Sequence, residues 1–226
     1  MDKSRLEIFP GVWLDHRRCL FLEQERVLAV ADLHLGYAWA HRFHGQMMPL
    51  QPDCIQERLL ELCASYRPEV IAVLGDVVHA PVPVVEVQNE LLQLVQALQA
   101  GCRVDLILGN HDRDLQKVAP RHVRFHRSIR AGRFLLAHGH EIVPHRDGTI
   151  IIGHEHPAIS LGDGVRSAKF PCFLLADNLI VLPAFSAWAA GSDVRTCPPN
   201  SPFLARQRST RAVAILNDKL LPVPLG

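Results

Sequence analysis

The 226-residue sequence lacks any run of about eighteen apolar residues, any CxxC pair, any internal repeat and any low-complexity tract. The first absence argues against a helical membrane span, the second against a thiolate zinc site, and the third against a solenoid. Six cysteines, Cys19, Cys54, Cys63, Cys102, Cys172 and Cys197, are scattered, several inside apolar runs, and read as reduced thiols. The stretch from Met1 to Glu7 mixes both charge signs and has no apolar centre, so no secretory signal is expected and the protein is placed in the cytoplasm. Strong net charge is missing too. A balance of +1 with histidine neutral gives no global attraction to nucleic acid, which would have to act through a local patch. Histidine is the residue in excess, with thirteen copies. At 48% hydrophobic and 21% charged, residues 1–226 can bury a full core and are expected to form one domain centred on about 27–185.

Val12-Trp13-Leu14 and Cys19-Leu20-Phe21-Leu22 predict an N-terminal hairpin. Val27 to Ala31, Val70 to Leu74 and Val104 to Leu108 are apolar on both faces, as central strands are. Between them a helix is expected from Asp53, as N-cap, to just before Pro68. A second is expected over Glu86 to Gln99, where Leu91, Leu94, Val95 and Leu98 recur at helical spacing. The segment from Gly36 to Pro49 has no clean period and is expected to be irregular. This βαβαβ order argues for parallel strands with crossover helices. Beyond Asp112 come short β runs: Val123 to Phe125, Arg133 to Ala137, Thr149 to Ile152, Phe173 to Ala176 and Leu179 to Leu182, with Asp177-Asn178 as a hairpin turn. Ala212 to Leu216 opens a last strand or hairpin that, with the N-terminal hairpin, completes the sheets. An α/β half followed by a β-rich half predicts two sheets packed face to face with helices outside.

Five polar clusters fall at the carboxyl ends of expected strands: Asp32-Leu33-His34, Gly75-Asp76, Gly109-Asn110-His111-Asp112, His138-Gly139-His140 and Gly153-His154-Glu155-His156. That edge is where open α/β sheets bind ligands. Strand alternation is expected to put Asp32 and His34 on one side of the backbone. The donors are carboxylates, imidazoles and one amide, a set that suits manganese, iron or zinc better than calcium or magnesium. Asp32, His34, Asp76, Asn110, His138, His154 and His156 are too many for one ion that keeps a position open. Two divalent ions about 3.5–4 Å apart would share a carboxylate, with Asp76, alone on its loop, as the bridge. Two aspartates against +4 leave a surplus for a phosphoryl group, so the expected chemistry is phosphate-ester hydrolysis. His111, beside a ligand yet not needed as one, is placed to protonate the leaving oxygen.

The ordered series Asp-x-His, Gly-Asp, Gly-Asn-His-Asp, His-Gly-His and Gly-His-x-His, from Asp32 to His156, resembles the calcineurin-like metallophosphoesterases. Val30 to Gly36, Gly75 to His79, Gly153 to Pro157, Pro171-Cys172-Phe173 and Leu182 to Phe185 look like the ligase-associated DNA damage response endonucleases (PdeM-like) and relatives of the SbcD type. The resemblance implies an α/β, four-layer αββα sandwich of two mixed sheets flanked by helices. It implies one ion on Asp32, His34, Asp76 and His156, another on Asp76, Asn110, His138 and His154, and His111 as the catalytic histidine. It implies manganese first, with iron, zinc and magnesium as alternatives. It also implies a phosphodiester substrate, nucleic acid by preference, and association with a DNA ligase or helicase. In longer repair nucleases of this superfamily, the position three after the bridging aspartate is often an acid that orients the catalytic histidine. Here it is His79, which leaves open what orients His111.

His79, Asp112 and His140 are candidates for supporting the ligands or meeting substrate, with His79 evenly balanced, and His140 and Glu155 are read as supporting or surface groups rather than ligands. Trp39, His41, Arg42 and His44 are read equally as a substrate groove or as a loop anchor with solvated neighbours. Arg166 and Lys169 could hold a phosphodiester or sit on a solvated hairpin. Two other functions stand beside the nuclease: a small-molecule phosphoesterase acting on nucleotides or phosphorylated metabolites, and a non-catalytic binding scaffold. Loss of ligands would mark the scaffold, and salt sensitivity would mark nucleic-acid binding. Self-association is left open.

Overall fold

The computed structural model describes residues 3–43, 54–80, 85–119, 123–145, 147–162, 166–189, 191–207 and 209–225. Among these, one seven-stranded sheet follows chain order: β1 (Arg5–Phe9), β2 (Val12–Asp15), β3 (Cys19–Leu22), β4 (Val27–Val30), β5 (Val70–Leu74), β6 (Arg103–Ile107) and β7 (Arg124–His126). The first four strands form an antiparallel meander, and β4 to β7 run parallel. Parallel neighbours need crossovers, supplied by α1 (Tyr37–Phe43), α2 (Ile55–Tyr66), α3 (Val85–Gln99) and the single turn α4 (Leu115–Val118).

The second sheet has nine strands: β8 (Ser128–Ala131), β9 (Phe134–Ala137), β10 (Thr149–Ile152), β11 (Pro157–Gly162), β12 (Ser167–Ala176), β13 (Leu179–Val181), β14 (Ser192–Asp193), β15 (Ser209–Leu216) and β16 (Lys219–Pro224). Its spatial order is β14-β11-β12-β13-β10-β9-β8, with β15 and β16 branching from β12. The β9-β10-β13 centre is parallel, whereas β12 turns back antiparallel on β13 through Asp177-Asn178.

Strand alternation sorts side chains between two layers of core. Leu28, Val30, Ile71, Val73, Val104 and Leu106 meet the helices, where α2 contributes Leu59 and Leu62 and α3 contributes Leu91, Leu94, Val95 and Leu98. Their neighbours Ala29, Ala31, Ala72, Leu74 and Ile107 face Leu136, Ile151, Phe173, Ile180 and Val213 of the second sheet. Each fully buried aliphatic side chain contributes about 1.5–3 kcal/mol, so this double-sided burial fixes strand register strongly. The result is an α/β sandwich of two mixed sheets flanked by helices. Helical cover is uneven: the outer face of the second sheet packs on Phe203 and Leu204, at a 3-10 turn over Leu204–Arg206. No described helix is long and apolar enough to cross a membrane.

Several local expectations change. Tyr37 to Phe43 is helical rather than irregular, because seven residues are too few to display a helical period. The helix predicted from Asp53 begins at Ile55 with Cys54 as a left-handed N-cap whose side chain makes no capping hydrogen bond, and Asp53 lies outside the described residues. That helix ends at Arg67, left-handed at φ 45°, directly before Pro68, which the helix could not accommodate in its interior. Strands β1, β8, β11 and β14 are additions to the sequence reading.

Candidate metal centre

Strands β4, β5 and β6 of one sheet and β9 and β10 of the other all end at the same edge of the sandwich, and the five polar clusters sit on the loops that leave them. Backbone pairing continues beyond the strands and sets the spacing of these loops. The Asp32 N–H donates to the Gly75 carbonyl at 3.2 Å and the His34 N–H to the Asp76 carbonyl at 2.9 Å. A parallel bridge between Ala31 and Ala184 ties the two sheets together beside them.

These loops are held in an unusual backbone state. Asp32, His34, Asp76, His154 and His156 all have positive φ, between 45° and 69°. The alternation expected for Asp32 and His34 is therefore absent. The two side chains converge because each residue is left-handed, at a cost of about 1–3 kcal/mol apiece, which packing and hydrogen bonds must offset. Part of the offset is visible. Asp32 accepts the His154 N–H at 3.0 Å, and Asp76 accepts the His111 N–H at 3.0 Å. The Asp112 carboxylate accepts three backbone N–H groups, from Gly109 at 2.8 Å, Val78 at 3.1 Å and Val77 at 3.2 Å, and so knots two of the loops together. Glycine is required where these groups approach most closely. A Cβ on Gly109 would stand 2.2 Å from Asp76 Oδ1, and one on Gly75 would stand 2.3 Å from His138 Nδ1.

The structure gathers the expected ligand residues into two adjoining groups. Asp32, His34, Asp76 and His156 place ligand atoms within 4.8 Å of one another, and so do Asp76, His138 and His154. His34 Nε2 lies 3.1 Å from His156 Nε2, which in turn lies 3.5 Å from Asp32 Oδ1. In the second group His138 Nε2 lies 3.1 Å from Asn110 Oδ1 and 3.4 Å from Asp76 Oδ1. Asp76 belongs to both. His138 Nδ1 is 2.8 Å from the Leu74 carbonyl, so that nitrogen donates and Nε2 is left with its lone pair toward the group.

Electrostatics agree with a ligand role. Burial, followed by repulsion from neighbouring imidazoles, takes His34 down to about 2. Burial likewise takes His138 and His154 to about 4, so at neutral pH these rings are uncharged with a nitrogen lone pair available. Burial raises the Asp76 carboxyl against the opposing His111 N–H bond. His156 moves the other way: burial opposes its charge, but the hydrogen bond and charge of Asp32 prevail. Two carboxylates, imidazoles and an amide fit a pair of divalent ions.

His111 is half-buried, with Nδ1 2.7 Å from the His79 carbonyl and Nε2 3.9 Å from Asp76 Oδ2. The group left open by the sequence, the one that orients His111, is thus a backbone oxygen. Rings of His79 and His111 lie at 5.5 Å and 22°. Both line a cavity of about 320 Å³ together with Ala40, His41, Ala80, Asn110 and Arg113. The ring of His41 packs on that of Tyr37, centroids 4.3 Å apart and tilted by 41°, and stacks on His79 at 5.7 Å. Tyr37 and Arg113 were missed in the sequence, although Arg113 directly follows the Gly109 to Asp112 cluster. Trp39 is exposed on α1, and no contact among the described residues brings it to the donor groups. The Arg42 side chain and all of His44 lie outside the described residues. The ring of His140 packs 5.1 Å from that of His138, and its Nδ1 is buried without a partner among the described residues. Glu155 turns away from the donors and accepts the Ser201 N–H, while Ser201 Oγ donates to the Gly139 carbonyl at 2.6 Å. Lys169 is committed to the Gly191 carbonyl at 2.8 Å.

Two mixed sheets whose loops supply paired metal-ligand groups sharing one aspartate define a metal-dependent phosphoesterase. The sequence matches the profile of the calcineurin-like phosphoesterases over residues 25–164, and the chain belongs to that family. Among solved structures, the crystal structure of Pseudomonas putida nuclease MPE superposes with a TM-score of 0.73 at 23% identity, covering 97% of this chain and 98% of that one. At that identity the likeness is one of fold. No match was found among curated proteins.

Proposed function

We propose that the chain is a two-metal phosphodiesterase of the PdeM-like or SbcD type, acting on nucleic acid, with residues 1–226 working as one domain. One observation carries the reading: a single carboxylate, Asp76, belongs to two donor groups that the two sheets assemble at one edge. Asp32, His34, Asp76 and His156 would hold one ion, and Asp76, Asn110, His138 and His154 the other, manganese being the first choice for this nitrogen and oxygen set. When bound, such a pair lowers the pKa of water and polarises a phosphoryl group. The protein's own part is positional. With His111 Nδ1 donating to the His79 carbonyl, Nε2 is the nitrogen that gains or gives a proton, and His111 lines the cavity where a leaving oxygen would sit. A nucleic-acid substrate is supported by the fold shared with the Pseudomonas putida nuclease along nearly the full length of both chains. A ligase or helicase partner and a cytoplasmic location extend the same reading.

The cavity favours a second reading. Its volume is at the small end of the range of about 300–1,000 Å³ typical of small-molecule sites, so a nucleotide phosphoester is the alternative substrate. Hydrolysis of bis-p-nitrophenyl phosphate beside p-nitrophenyl phosphate, with manganese added or chelated, tests the activity. The expected result is manganese-dependent diesterase turnover that falls by about a hundredfold or more in His111→Ala. A chain that binds no divalent ion would end the proposal. Oligonucleotide cleavage that weakens steeply with salt would favour nucleic acid over the nucleotide.

A further inference from the structure

His79 occupies a position from which it reaches two histidines at once. Its ring Nδ1 lies 3.4 Å from Nδ1 of His34, and its backbone carbonyl lies 2.7 Å from Nδ1 of His111. His34 turns its other nitrogen, Nε2, toward His156 Nε2 at 3.1 Å, inside the group that also contains Asp32 and Asp76. A neutral imidazole carries one N–H. If Nε2 of His34 is the ligand atom, its proton is on Nδ1 and points at His79, whose Nδ1 must then be the acceptor, with the His79 proton on Nε2.

Resting on the two-metal reading above, we infer that His79 is a positioning residue for both histidines. Its side chain fixes the ring of the ligand His34, and its main chain fixes the ring of His111. Each contact selects the same tautomer, proton on Nδ1 and Nε2 toward the site. His79 is itself well held. Its N–H donates to the Leu35 carbonyl at 2.9 Å, the chain beside it pairs through the Leu35–Val78 bridge, and its ring packs on Tyr37 at 4.6 Å and 52°. The two contacts also separate by substitution: replacing the side chain removes the acceptor for His34 and leaves a carbonyl at position 79 for His111.

Binding of Mn²⁺ by the full chain and ¹⁵N spectra of the imidazoles test this, in wild type, His79→Ala and His79→Asn. In wild type the spectra should show His79 protonated at Nε2 and both His34 and His111 at Nδ1. His79→Ala should bind Mn²⁺ about tenfold or more weakly, as loss of a group supporting a metal ligand typically does, with the His111 tautomer kept. His79→Asn, whose amide oxygen can accept the same hydrogen bond, should recover most of the affinity, and that recovery guards against simple misfolding. Undiminished Mn²⁺ affinity in both variants would overturn the inference, as would a wild-type His79 protonated at Nδ1. The three rings of His34, His79 and His111 also place nitrogens within 4.8 Å of one another. Three ions per chain in wild type and two in His79→Ala would make His79 a ligand and likewise overturn the positioning role. The two proposals fail separately: a weakened Mn²⁺ affinity without diesterase turnover in any form removes the proposed reaction and leaves the positioning of His34 intact.

Discussion

Asp76 carries several commitments at once. It belongs to both donor groups, accepts the His111 N–H, and lies so close to the next loop that Gly109 has no room for a side chain. An alanine there would push a methyl to 2.2 Å from Asp76 Oδ1 and 2.3 Å from Asp76 N. The second contact cannot be relieved by rotating a side chain, because its partner is backbone. Gly109→Ala is therefore expected to cost about a hundredfold in kcat/KM, since displacements near 1 Å at a reacting centre have that effect, while the circular dichroism spectrum stays that of the wild type. A variant with wild-type turnover would show that the loops can part without disturbing the site. At this scale the sequence was informative about residue identity and silent about conformation. The seven candidate ligands could be picked out by type and order, yet the left-handed backbone of Asp32 and His34 runs against the alternation expected of a strand end.

Among the elements, the ones read correctly from sequence are those whose physics is repetitive. Strands β4, β5 and β6 are buried on both faces and give uninterrupted apolar runs, and α3 displays its buried stripe over fifteen residues. Those missed carry no such signal. Strand β1 alternates exposed and half-buried residues at a sheet edge, β14 has two residues, and β11 starts at Pro157, directly behind the last ligand cluster. A buried charge also escaped notice. Asp15, at the end of β2, accepts from Arg17 at 2.7 and 3.0 Å and from the Tyr66 hydroxyl at 2.7 Å, tying the last turn of α2 to the first sheet. Burial raises its carboxyl, but the Arg17 and Tyr66 hydrogen bonds prevail and hold it below the ordinary 3.8. A carboxyl depressed in the fold adds stability that is complete above its unfolded value and is lost as pH falls through the folded one. Denaturant unfolding should therefore show stability dropping below pH 3.8, with a shallower drop in Asp15→Asn. At neutral pH that variant should be less stable by about 3 kcal/mol, the usual cost of breaking a buried ion pair. Parallel acid profiles for the two proteins would remove Asp15 from this account.

For the whole molecule, the division of labour between the sheets matters most. The first sheet's loops carry Asp32, His34, Asp76 and Asn110, and the second sheet's carry His138, His154 and His156. Neither donor group belongs to one sheet: His156 joins Asp32 and His34, while His138 and His154 join Asp76. The bare chain brings these groups together at a cost, since five of the candidate ligand residues are left-handed and several imidazoles are held without charge. Packing of Leu74 and Ile107 against Leu136 and Ile151 must hold the sheets together against that strain. Divalent ions bound across the edge would join the sheets at the point where the strain is greatest. Binding to the folded state alone stabilises by RT ln(1 + [L]/Kd), about 2.7 kcal/mol at a hundred times Kd. The chain freed of metal by chelation should therefore melt several degrees lower than the manganese-loaded chain, and His156→Ala, which takes one sheet's donor from the first group, should recover only part of that rise. An identical melting temperature with and without manganese, at concentrations where binding is demonstrated, would mean that the unfolded chain binds the ions as well as the folded one, and would remove them from this account of what holds the edge together.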